Sequence, residues 1–190
     1  MRALAVWLML CGTAWSNELA PKPHELDALY VAGEVQLDLT RSPVAPYVAL
    51  PGDIRLYKHG AQIRAEDRSG HRPALCSLEL AMTLRAMAET CRGLARPDHL
   101  RVMDTAIDAH IAFIAENHVP PRPRREVRFL IAQRMSETYL RLKDRRLCSE
   151  REMSRWVPFV REIDDGTFSA TLDASLKADR LPVADPCQSN

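Results

Sequence analysis

The segment Leu75–Cys91, LCSLELAMTLRAMAETC, constrains this chain more than any other. At 100° per residue, Cys76, Leu80, Leu84, Met87 and Cys91 fall on one narrow seam. Leu75, Leu78, Met82 and Ala86 cover much of the opposite side, and the polar residues Glu79, Thr83, Arg85, Glu89 and Thr90 are scattered. A helix that is apolar nearly all round is covered by neighbours on several sides. The segment therefore predicts a central helix with others packed about it, and a cysteine at each end of the seam allows it to be tied covalently at both ends.

The sequence that follows supplies the neighbours. A second helix is predicted over Pro97–Asn117, with Pro97 at its first position and Asp98 at the positive end of the helix dipole. Val119-Pro120-Pro121-Arg122-Pro123 breaks the chain. A third helix, Arg124–Arg145, presents Val127, Ile131, Met135, Thr138, Tyr139 and Leu142 on one broad face, with Arg134, Glu137 and Arg141 opposite. A fourth opens at Ser149 with Glu152 completing a capping box, and Pro158 kinks or restarts it. A short fifth carries Phe168, Leu172 and Leu176, and the Pro-broken tail beyond it needs an anchor. Residues 17–73 are different, being punctuated by Pro and Gly. Alternation in Glu34–Thr40 and Asp53–Tyr57, with a turn at Pro51-Gly52-Asp53, points to two or three short strands or to an extended arm over the helices. The fold expected is mainly α: an antiparallel bundle of four to five helices over 74–190, tied by two disulfides, with 17–73 as an extended or short-β N-terminal segment.

Residues 1–16 read as a signal peptide. Arg2 is a basic start, Leu4–Cys11 an apolar run too short to span a bilayer comfortably, and Ala14-Trp15-Ser16 a small-x-small cleavage site. The alternatives are an uncleaved anchor and a lipoprotein, the latter disfavoured by Leu10 before Cys11. Cleavage after Ser16 removes one of the 26 basic residues and leaves 25 against 25 acidic, with four cysteines and no second long apolar run. The expectation is a soluble periplasmic or secreted protein, with no membrane span after cleavage.

An even cysteine count in an exported chain reads as a disulfide framework. Fifteen residues of helix hold Cys76 and Cys91 about 22 Å apart, and a disulfide needs Cα atoms within about 7 Å. Antiparallel packing then brings Cys91 to Cys148 and lets the tail return Cys187 to Cys76. Closing the 91–148 loop is worth roughly 4 kcal/mol. No CxxC is present, so zinc-ribbon and thioredoxin-type chemistry has no support, and no cysteine sits in an activating motif.

Catalytic candidates are few. His110 lies near the middle of the second helix's apolar arc with His99 on the same side, but their spacing of eleven is not that of paired metal ligands; a His hydrogen-bonded within the core is the plainer reading. Asp104 and Asp108 have i, i+4 spacing beside Arg101, as expected of a solvated face. There is no GxSxG, HExxH, Walker loop, GxGxxG or EF-hand loop. No catalytic, cofactor or metal residue is assigned. The most one-sided charge feature is the run Arg122, Arg124, Arg125, Arg128, continued by Arg134, Arg141, Lys143, Arg145 and Arg146. Zero net charge, export and the lack of interleaved aromatics argue against nucleic acid. An anionic patch on another protein, or anionic envelope material, suits the run better; the plain alternative is a solvated helix with salt bridges.

The stretch from Cys76 to Cys187 resembles a group of small exported four-cysteine helical proteins of Gram-negative bacteria, uncharacterised in function. The resemblance lies in a cysteine at each end of the first helix, the stretch Ile107-Asp108-Ala109-His110-Ile111, a mid-chain cysteine, and the ending Pro182 to Pro186-Cys187. It implies the compartment and the disulfides, not an activity. In architecture the chain is also similar to periplasmic immunity proteins that neutralise toxins. The function expected is a non-catalytic binding or inhibitor protein, acting through a basic ridge on the third helix formed by Arg122, Arg124, Arg125, Arg128, Arg134 and Arg141. The alternative is a small cell-envelope enzyme using His110 or Asp104/Asp108.

Overall fold

The computed structural model describes residues 16–91, 93–143, 148–149 and 153–184. The expected signal peptide therefore lies almost wholly outside the described residues, as do Arg145, Arg146, Glu152 and Cys187. The chain enters through a short turn of helix, α1 (Ser16–Leu19), and α2 (Pro23–Ala32), then a sheet of β1 (Val35–Asp38), β2 (Ala45–Leu50), β3 (Ile54–His59) and β4 (Gln62–Asp67). It continues through α3 (Ala74–Thr90), α4 (Pro97–Asn117), α5 (Arg124–Lys143), α6 (Val157–Asp164) and α7 (Thr167–Leu176).

This corrects the expected fold. The molecule is mixed α and β rather than mainly α with an extended or short-β N-terminal segment, because residues 17–73 build a helix and a four-stranded antiparallel meander in the order β1-β2-β3-β4. The sheet's two faces follow from strand periodicity. Val48, Ile54, Leu56 and Ala65 point to one side, where Leu26 of α2 and the tail residues Leu181 and Val183 close a core over them. Asp38, Arg55, Tyr57 and Glu66 point to the other. Gly52 turns β2 into β3 with φ of 72°. A Cβ there would stand 2.3 Å from the Arg180 Cβ, so glycine serves both the left-handed backbone and the approach of the tail.

The helical part behaves as its sequence predicts. α3 is central, with Leu75, Leu78, Met82, Leu84, Ala86 and Met87 buried. α4 packs on it through Met103, Ile107, Ile111 and Ile114, and α5 through Val127 and Ile131. Pro158 stands in the first turn of α6, so it restarts the helix there. Cys91 and Cys148 form a disulfide, which ties the end of α3 to the chain beyond α5. Cys76 is disulfide-bonded as well, and its Sγ lies 3.0 Å from the Ala184 carbonyl oxygen. The expected partner, Cys187, lies outside the described residues.

The tail joins the two layers. Leu181 and Val183 complete the sheet's core while the Leu75 amide donates to the Val183 carbonyl. Arg180 is fully buried, its Nε 3.0 Å from Asp67 Oδ2 in an ion pair whose two side chains are both sealed from solvent. Its Nη2 donates to the Ser175 hydroxyl at 2.9 Å and to the Arg72 carbonyl at 3.2 Å, and its amide donates to Asn117 Oδ1. One side chain thus touches the sheet, α7 and the turn into α3.

Candidate functional site

His110 is completely buried in α4. Its Nδ1 lies 2.7 Å from the Ala106 carbonyl, one turn back, and its Nε2 lies 2.7 Å from the Ser77 hydroxyl of α3. A carbonyl only accepts, so Nδ1 carries the proton and Nε2 accepts from Ser77. Burial pushes the ring down to about 4, with the Ala106 carbonyl opposing that shift. A serine hydroxyl on a histidine nitrogen has the outward form of a nucleophile and its base. This ring is too weakly basic for the task at neutral pH and has no approach. The groove of about 310 Å³ between α4 and α7 is lined by Val102, Ala106 and Leu172 with Arg101 and Asp173 at its rim, and neither His110 nor Ser77 lines it.

The two carboxylates do not form a pair. Asp104 accepts from Arg85 Nε at 2.7 Å, and Asp108 faces Arg128 at 3.7 Å. His99 is buried apart from His110. It accepts the Arg96 amide on Nδ1 at 3.3 Å, so Nε2 donates to Asp164 at 2.8 Å. The Arg96 guanidinium also holds Asp164 and, with His99, keeps that carboxyl below its ordinary range. This is a helix-joining contact between the start of α4 and the end of α6. Among the described residues no group of three His, Cys, Asp or Glu side chains converges as a metal site would.

The arginines separate into two sets. Val127, Ile131, Arg134 and Thr138 form the buried stripe of α5 at spacings of four, three and four. Arg134, placed by periodicity on the outer face, lies in that stripe. Its Nη2 pairs with Glu79 of α3 at 2.8 Å, and the aliphatic stem covers apolar surface on the way. Arg141 is half-exposed and 3.9 Å from the same carboxylate. Arg124, Arg125 and Arg128 are exposed on the first two turns, Arg124 against Glu116 and Arg128 against Asp108, themselves exposed. Arg122 is mostly covered and donates to the Glu18 carbonyl. Among the described residues of α5 the exposed guanidinium groups are therefore those of its first two turns and, less fully, Arg141, with Arg134 withdrawn from the run.

Two features of the sheet carry no motif. On its outer face Asp38 is buried and accepts from Thr40, from the Tyr57 hydroxyl at 2.6 Å and from Arg55 at 3.2 Å. These donors, Thr40 foremost, hold the carboxyl far below the ordinary carboxylate range. Arg41 lies over the Tyr57 ring at 4.0 Å and pairs with Glu66. Strand β1 beside it is an edge. Val35 and Leu37 within it, Leu39 at its exit, Val31 shortly before it and Val44 just before β2 are between 50% and 85% exposed. The alternation of β1 was visible in the sequence, but not that its apolar side would lie uncovered.

No protein-family model matches this chain, and neither a curated protein nor a solved structure is significantly similar to it. Among the described residues no helix is long and apolar enough to cross a membrane.

Proposed function

We propose that this chain is an exported protein that works by binding rather than catalysis, and that the guanidinium groups opening α5 contact an anionic partner. The observation that supports it best is the sealing of His110: the ring that, with Ser77, has the form of a base and its nucleophile sits neutral inside the core, held by Ser77 and Ala106. Asp104 is held by Arg85 at 2.7 Å, and Asp108 is an exposed carboxylate with Arg128 at 3.7 Å, so the two do not act as a pair. The charge at Arg124, Arg125 and Arg128 remains available, since exposed ion pairs such as Arg124–Glu116 contribute only about 0–1 kcal/mol and an incoming anion displaces them at little cost. Export rests on the sequence of residues 1–16 and on the oxidised cysteines, as in the four-cysteine group the chain resembles.

The test is affinity capture from cell-envelope extract with the wild-type chain and with the Arg124→Glu, Arg125→Glu, Arg128→Glu triple variant. A partner held by the wild type, released by salt and lost from the variant supports the reading. Equal capture by both, or capture indifferent to salt, rejects it.

A further inference from the structure

We infer that the open edge of β1 is a docking strip for an extended segment of another protein, apolar at alternate positions and basic at one end, which adds to the sheet as a fifth strand. β1 pairs with β2 alone, through Val35↔Val48 to Asp38↔Ala45. Every second residue of an edge strand directs its backbone N–H and C=O outward, where a further strand satisfies them. No other described strand takes that side.

The side chains agree with the backbone. Val35, Leu37 and Leu39 alternate along the strand and its exit. Val31 from the last turn of α2 and Val44 from the approach to β2 lie close to them in the chain, and together they make up five of the nine large apolar residues exposed among the described residues. Scattered exposed apolar residues need no explanation, whereas a gathered set marks a contact surface. Soluble sheets blunt their edges with lysine, proline, bulges or inward charges. Here the one charge within β1, Asp38, is turned under Arg55 and Tyr57, which holds that end of the strand in place and lowers the ordering cost of pairing.

The rim sets the sign of the occupant. Asp27 lies one helical turn before Val31 on the same face of α2, and Glu34 immediately precedes β1. Both are exposed, and neither enters an ion pair among the described residues. Arg41, the nearest cation in sequence, is committed to Glu66 and the Tyr57 ring. The strip is apolar with both acids at its α2 end, which complements a strand-forming peptide that is basic at one end. It is separate from the arginines of α5.

The experiment uses a short synthetic peptide of alternating valine and threonine with two lysines at one end, its counterpart with two glutamates there, and a lysine-ended version N-methylated at alternate amides. Each is titrated into the isotope-labelled chain and followed by amide chemical shifts. The lysine-ended peptide should saturate shifts confined to residues 31–50, bind about tenfold more tightly than the glutamate-ended one, and lose that advantage in high salt. N-methylation should abolish binding through one set of amides. Leu37→Lys, at an exposed position, should weaken it by a similar factor without altering the rest of the spectrum. The Arg124, Arg125 and Arg128 variant should bind the peptide unchanged, so failure of the α5 reading leaves this one standing. Absence of shifts at β1, indifference to N-methylation, or concentration-dependent dimerisation of the chain that Leu37→Lys removes would overturn the inference, the last by giving the edge to a second copy.

Discussion

His110 should make the protein acid-sensitive in a defined window. In the unfolded chain its ring titrates near 6.5, and in the fold burial lowers it to about 4. Between those values the unfolded chain binds a proton that the folded chain does not. Stability therefore rises with pH across the window: the contribution is complete above pH 6.5 and is lost as the pH falls to 4. At about 1.4 kcal/mol per pH unit the whole effect is about 3 kcal/mol, and about 2–3 kcal/mol of it falls between pH 7 and pH 4.5. Carboxylates titrate at the lower end of the same range, so the measurement is a difference. Urea unfolding of wild type and His110→Gln at the two pH values should show the wild type losing about 2–3 kcal/mol more than the variant on acidification. The ring nitrogens give a second reading, with Nδ1 protonated and Nε2 bare at pH 7 because Ala106 accepts and Ser77 donates. Parallel losses in the two proteins, or a ring that titrates near 6.5 in the folded state, would refute both the burial argument and the exclusion of His110 as a base.

Three other perturbations test the framework. Arg180→Met leaves Asp67 buried without its counter-charge and should cost about 3–5 kcal/mol in urea unfolding, part of which Asp67→Asn in the same chain restores. Cys91→Ser opens a link between residues 57 apart and should cost about 4 kcal/mol, after which a reductant has less further effect on Tm than it has on the wild type. Arg134→Ala should destabilise by more than about 1 kcal/mol while Arg128→Ala stays within about 0.5 kcal/mol, because the first removes a covered ion pair and the second an exposed one.

The helices were legible because nothing disguised them. Pro97 and Asn117 bound α4 where the proline and the apolar arc place them, and α3 ends one residue short of Cys91. Helix length and antiparallel order sufficed to pair Cys91 with Cys148. The sheet was half legible. β1 and β3 alternate cleanly, but β4, Gln62–Asp67, ends in two acids, and a strand with Glu66 and Asp67 both buried violates the pattern that identifies strands. Beside the nearby Arg68 and Ser69, Glu66 takes Arg41 and Asp67 takes Arg180 from far along the chain, contacts that only the fold reveals. Arg134 misled for the same reason: periodicity offers it either side of α5, and Glu79, 55 residues away, decides. Ser77, which faces the bare nitrogen of His110, carries no signal, being one serine on a helix with no motif around it.

Arg180 shows why the two layers make one body. An apolar residue there would fill the space between sheet and helices at less desolvation cost. The guanidinium is sealed from solvent, and burial pushes its proton affinity down, with Asp67 as the opposing charge. Its bonds to Ser175 and to the Arg72 carbonyl are directional, so a slip of the tail by one residue would strand both the cation and Asp67. Leu181 and Val183 alone would not set that register, since apolar side chains of similar size fill a core in more than one arrangement. The ion pair therefore selects a tail position in which Leu181 and Val183 cover Val48, Ile54 and Leu56. The same position brings Ala184 to Cys76. The sheet is thus held in its place by a charge from the tail, and the open edge of β1 inherits its fixed geometry from a contact at the opposite edge, on β4.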